Sequence, residues 1–162
     1  MNTSGIVSEA LAIQKIISEE LSAKSVMPEK IHRILKSLVD SLKADGALLY
    51  ATVDENYLEL MGRYNVDEYK NNIRYEEGII GSSASSKIVR FSTDSAKNIS
   101  EICIPITRLH ITIGVIVLLK HNIDGYDEAK IEEIETLCLP LVDLVSSRMF
   151  EDYKNQIIRE KG

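Results

Sequence analysis

Apolar residues repeat along this chain with two periods, and the change between them marks out the elements. Ile13, Ile17 and Leu21 recur every four residues, which predicts a helix over residues 6–22 with Ser8 as its cap. Met27-Pro28 opens a second helix, because proline at the first helical position lacks only an N–H that would have no partner anyway. Ile31, Ile34, Leu35, Leu38 and Leu42 form its apolar stripe, and Asp45-Gly46 is the expected stop. The pattern then shortens toward alternation. Strands are predicted at Ala47–Val53, Tyr57–Met61, Ile73–Tyr75, Lys87–Ser92, Ser100–Ile106 and Ile111–Leu119. Asp54-Glu55-Asn56 reads as a turn, Ile79–Ser86 as a short helix and Arg108-Leu109-His110 as a hairpin connection. Pro105 has no N–H for a ladder, so it belongs at an edge or a bulge.

The four-residue spacing returns near the C-terminus. Gly125-Tyr126-Asp127 starts a long helix with Asp127 as cap, and Ile131, Ile134, Cys138, Leu141 and Val145 make one face. Met149, Tyr153 and Ile157 continue that face, while Pro140 should kink or interrupt the helix near Thr136–Pro140. Two helices, five or six antiparallel strands and a closing helix describe an α+β domain with its terminal helices on one face of the sheet. The whole of residues 1–162 is expected to be one domain, with a core at about 27–147, an N-terminal helix at 6–22 and a helical extension at 148–162.

Composition narrows the function classes. With 44% hydrophobic residues the chain can build a globular core. A formal charge of −6 repels phosphate backbones, which argues against nucleic acid as a partner. No apolar run approaches the ~20 residues of a membrane span, and the N-terminus has no secretion-signal pattern, so the expected location is cytoplasmic. Cys103 and Cys138 are too few for a disulfide framework and sit in apolar runs.

Several strings resemble one known family. Ile73-Arg74-Tyr75-Glu76-Glu77-Gly78-Ile79-Ile80-Gly81 resembles an L-R-x-G-E-G-L-V-G signature, with Glu77, Gly78 and Gly81 in register. Ile102–Ile106 followed by Ile113–Val117 resembles L-G-V-P-I … L-G-V-L-V-V, and Glu135–Val145 resembles the closing helix. These strings and the order of elements resemble the GAF domain family. Residues Ala44–Tyr50 and Leu58–Leu60 add a likeness to the N-terminal GAF domain of nitrogen-system phosphoenolpyruvate–protein phosphotransferases (PtsP). The resemblance spans about residues 9–147 and implies a non-catalytic regulatory module. It would bind a small metabolite, with glutamine implied by the nitrogen branch, and would control an attached or partner phosphotransferase. Two departures bear on the ligand: Thr93–Asn98 replaces a longer family loop, and the Val66–Ile73 connection is short. The phosphotransferase part itself has no counterpart in this sequence.

Candidate chemistry is sparse. Gly78–Ser83 has glycines but neither the Lys-Ser/Thr of a P-loop nor full G-x-G-x-x-G spacing, so its glycines are read as serving a turn and close helix packing. His32, His110 and His121 are dispersed and show no metal-ligand spacing, and no cofactor is implied. Asp127, Glu128, Glu132, Glu133 and Glu135 read as a solvated helix face. A GAF-type free methionine sulfoxide reductase would need a nucleophilic and a resolving cysteine together, whereas the surroundings of Cys103 and Cys138 should raise their thiol pKa. The ligand-binding candidates are Tyr50, Arg74, Ile80, Ser83, Phe91, Thr93 and Cys103, with Arg74 as a clamp for a ligand carboxylate. Any pocket should lie near Tyr50, Ile80 and Phe91 and be shallow or open. Ile13, Ile17, Leu21, Val145, Met149, Tyr153 and Ile157 are the candidates for a homodimer interface through the terminal helices. A ligand-free dimerisation scaffold is the alternative function.

Overall fold

The computed structural model describes residues 3–54, 56–121 and 128–161. Helices α1 (Thr3–Ser22) and α2 (Met27–Leu42) lead into β1 (Gly46–Val53), β2 (Tyr57–Tyr64) and β3 (Asn72–Arg74). Then follow α3 (Gly78–Ser86), β4 (Arg90–Asp94), β5 (Ile99–Arg108), β6 (Ile111–His121), α4 (Glu128–Cys138), α5 (Leu141–Val145) and α6 (Arg148–Lys161). The six strands form one antiparallel sheet in the order β3-β2-β1-β6-β5-β4.

Strand periodicity divides the interior in two. Ala47, Leu49, Ala51, Ile102, Ile104, Ile116 and Leu118 point to a face covered by α1, α2, α4, α5 and α6. Leu48, Tyr50, Leu58, Cys103, Val115 and Val117 point to the opposite face, where they pack with α3. The expectation of terminal helices on one face therefore holds. Gly81 is required where α3 crosses β3, because a Cβ there would lie 2.3 Å from the Arg74 carbonyl oxygen.

Boundaries moved where backbone geometry overrides pattern. Helix α1 begins at Thr3, so Ser8 lies inside it rather than capping it. Helix α2 ends at Leu42, before Asp45-Gly46, because Lys43 takes a left-handed conformation (φ 56°) and the Ala44 N–H bonds the Val39 carbonyl at 3.0 Å. Lys87 likewise ends α3 at φ 62°, which delays β4 to Arg90 instead of Lys87. The hairpin between β5 and β6 is tighter than expected, with Leu109 and His110 both at positive φ. Pro105 stands on β5 beyond the end of its pairing with β4, on a free edge.

The C-terminal helix is interrupted near Pro140 as expected, and again at Ser146-Ser147. Ser147 then caps α6, its Oγ accepting from the Phe150 N–H at 3.2 Å. This second break rotates the apolar face. Phe150 is buried, whereas Met149 is 44% exposed. The starting signal proposed at Gly125–Asp127 lies outside the described residues.

Candidate functional site

The α3 face near the middle of the sheet is filled. The Tyr50 ring is fully buried among Leu58, Ala84, Cys103 and Val115, and its hydroxyl donates to the Lys70 carbonyl at 2.7 Å. Burial pushes the Tyr50 phenol well above its usual range, so it stays a neutral donor. Ser83 Oγ lies 2.9 Å from the Ile88 carbonyl oxygen and 3.2 Å from that of Cys103, both acceptors for its one proton. Tyr50, Ser83, Cys103 and the half-buried Ile80 thus come together, but as packing and not as the wall of a cavity.

Three other candidates are turned away by the two-residue period of the strands. Arg74 pairs in register with Tyr57, while their neighbours Ile73 and Leu58 supply the α3-side core. Arg74 is exposed, its Nη2 donates to the Tyr57 hydroxyl at 2.9 Å, and its guanidinium lies 5.4 Å from that ring's centroid. It is therefore no carboxylate clamp on the α3 face. Phe91 sits opposite Ile102, a helix-side residue, and is 51% exposed; Thr93 sits opposite Ser100 on the same side, with their hydroxyl oxygens 3.0 Å apart.

The open space on the α3 face lies instead at the end of the sheet where β1 starts and β6 finishes. It is a cleft of about 780 Å³, open to solvent. Gly46, Leu119 and His121 form its floor, the 65–68 segment after β2 one wall, and β4 with the start of β5 the other. Sequence reasoning placed any pocket near Tyr50, Ile80 and Phe91, away from this cleft. The large Tyr50 side chain occupies that place. The neglected signal was the alternation of Ser92, Asp94, Ile99 and Glu101, which share the face of Cys103. A smaller hollow of about 250 Å³ lies on the helix side, between the free edge of β5 and the bend at Leu139.

Electrostatics sharpen this description. Glu101 stands in the cleft wall, partly buried, and desolvation raises its carboxyl above the ordinary value. Asp45 is committed to the fold, its Oδ2 accepting from the His121 N–H at 2.6 Å. Lys97 Nζ lies 3.5 Å from Glu68 Oε2 and so joins the two walls. Among the described residues, no three His, Cys, Asp or Glu side chains stand together as a metal site. The start of α3 has Glu77 as its flanking residue, a negative side chain that opposes phosphate there.

The two thiols are buried on opposite faces of the sheet, Cys103 in the α3-side core and Cys138 in the helix-side core. Burial drives both far above the usual thiol range, with a further rise from Glu101 at Cys103 and from Glu135 at Cys138.

No protein-family model matches this chain, and no curated protein matches it. Solved structures do. The GAF domain of a phosphoenolpyruvate–protein phosphotransferase from Coxiella burnetii superposes with a TM-score of 0.69 at 17% identity, over 93% of this chain and 98% of that one. The GAF domain of the Acinetobacter phosphoenolpyruvate–protein phosphotransferase gives 0.68 at 16% identity, over 90% and 95%. The chain has the GAF fold. Free methionine-R-sulfoxide reductase from Neisseria meningitidis, solved with its substrate, shares the fold with a TM-score of 0.67 at 15% identity, over 96% of each chain. A GAF fold thus serves enzymes as well as the domains of phosphotransferases, and the site must decide between roles.

The proposed interface residues are mostly spent within the domain itself. Ile13, Ile17 and Val145 are buried in the helix-side core, and Leu21, Tyr153 and Ile157 pack half-buried against it. Only Met149 of that set is broadly exposed. The four-residue stripes face the domain's own sheet and helices, which removes Ile13, Ile17 and Val145 from any contact with another chain. Among the described residues, no helix is long and apolar enough to cross a membrane.

Proposed function

We propose that this GAF domain is a non-catalytic regulatory sensor whose cleft on the α3 face binds a small polar metabolite. The observation that carries this reading is the position of the cleft. Its floor is made by β1 and β6, and the opposite face of the same strands forms the seat of the helices through Ala47, Leu49, Ile116 and Leu118. At the far end of β1, Lys154 of α6 donates to the Thr52 carbonyl at 3.3 Å. A ligand that prefers one setting of these strands then biases the packing of α6 and whatever activity is joined to it. Without different affinities for two settings no signal passes.

Resemblance to the nitrogen-system phosphotransferases suggests glutamine as the metabolite and a phosphotransferase, attached or separate, as the controlled activity, in the cytoplasm. The enzymatic alternative is disfavoured by Cys103 and Cys138, which are buried and separated by the sheet. The scaffold alternative draws on Val7, Leu11, Met149 and Ile158, apolar residues exposed on the terminal helices. A thermal-shift screen of amino acids, amines, carboxylates and nucleotides separates these readings. Ligand at ~100 times its dissociation constant adds ~2.7 kcal/mol, which corresponds to about 5–11 °C for a domain of this size. A full panel without a shift would leave the scaffold in its place.

A further inference from the structure

We propose that the cleft selects a small organic cation bearing protonated amines, in preference to carboxylate or phosphate ligands. The inference rests on the cleft being the ligand site. Its charge is one-sided: Asp67 and Glu68 stand on one wall, Asp94 and Glu101 on the other and Asp45 at the floor, against the ammonium of Lys97 and the imidazole of His121. These carboxylates do not converge on one point, since no group of three could hold a metal ion among the described residues. Such a spread suits an extended ligand with separated positive charges better than a single ion.

The carboxylates also differ in what they are free to do. Asp45 accepts from the His121 N–H, and Asp94 Oδ1 accepts from the N–H groups of Ala96 and Lys97 at 3.1 and 3.2 Å. These two hold the loops. Asp67 and Glu101 have no hydrogen-bond or ion-pair partner among the described residues, and they stand on opposite walls. Glu101 is partly withdrawn from water, so its charge is unfavourable until a cation meets it. The domain already places one ammonium across the mouth. Lys97, on the short turn between β4 and β5, pairs with Glu68 on the facing wall. Both partners are largely exposed, so the pair is weak, and a ligand amine can displace Lys97 from Glu68. An anionic ligand would instead meet five carboxylates, with its one lysine already engaged.

The test is calorimetric titration of the whole chain with putrescine and spermidine, and with glutamine and citrate for comparison. Buffer at about pH 8 keeps the amines and carboxylates charged, and ~0.15 M salt screens diffuse attraction. Amine binding that weakens about tenfold or more in Glu101→Gln, and is unchanged in Glu29→Gln at an exposed position of α2, supports the proposal. Equal weakening in both variants means diffuse attraction to an acidic protein and overturns it. Binding of citrate or glutamine without the amines overturns the cation preference while leaving the sensor intact. No binding by any compound in this titration or in the broader thermal screen removes both.

Discussion

Lys30 offers the sharpest test of how the helical layer is held. It lies on α2 with no exposed surface, and its ammonium donates to the main-chain carbonyls of Glu20 and of Ala23, the latter at 2.5 Å. These carbonyls close the C-terminal end of α1, where the last oxygens of a helix lack intrahelical donors and the macrodipole is negative. Replacing Lys30 with methionine keeps most of the apolar stem and removes the charge. Two hydrogen bonds from a charged donor are worth ~1.5–3 kcal/mol each. Relief of the buried charge returns part of that, leaving an expected loss of about 2–4 kcal/mol, or ~5–15 °C in Tm. Urea unfolding followed by circular dichroism measures it. A Lys30→Met protein at least as stable as the parent would show that ammonium burial outweighs the latch. Arg33→Ala is the internal comparison. Arg33 Nε lies 2.5 and 2.7 Å from the two Glu20 carboxylate oxygens, but its side chain is 45% exposed, so the loss should stay near 1 kcal/mol.

Glu101→Gln should stabilise the domain near neutral pH. Burial raises the folded-state pKa of Glu101 above the ordinary 4.5, so the folded state holds the proton more tightly; that contribution is present below the unfolded value and lost as pH rises through the folded pKa. The advantage of the variant should therefore vanish below about pH 4, and an advantage that persists there would refute the assignment. Cys103 and Cys138 should resist a soluble disulfide reagent until the protein unfolds, and no free methionine sulfoxide should be reduced; rapid labelling of the native domain would contradict their burial. Gly114→Ala should cost about 2–4 kcal/mol, because a Cβ there lies 2.5 Å from the Tyr50 carbonyl oxygen; an unchanged urea midpoint would show that β1 yields easily. If the terminal helices join two copies, Met149→Glu should weaken the dimer in sedimentation equilibrium while leaving Tm nearly unchanged, and a monomeric parent at tens of micromolar rules that assembly out.

What the sequence determined by itself was the kind of element at each place and the side of the sheet the helices cover. Ile31, Ile34, Leu35 and Leu38 can be buried together only on a helix, and the runs from Ile102 to Ile106 and Ile111 to Leu119 only as paired strands. The rise from Gly78 to Gly81 was legible for the same reason, since its glycines answer to a turn and to a close approach. Tertiary structure alone decided the site. Register fixes which residues of β3, β4 and β5 face the α3 side of the sheet, and a shift by one position exchanges them. That is why Arg74, Phe91 and Thr93 point away while Glu101 and Asp94 line the wall. Burial of the α1 stripe was decided in the same way. Spacing shows that Ile13 and Ile17 share a face, but whether this face meets another copy or the domain's own helices depends on how the chain returns after Pro140. The two serines that break the last helix turn Phe150 inward and Met149 outward, a rotation of one residue that no periodic pattern carries.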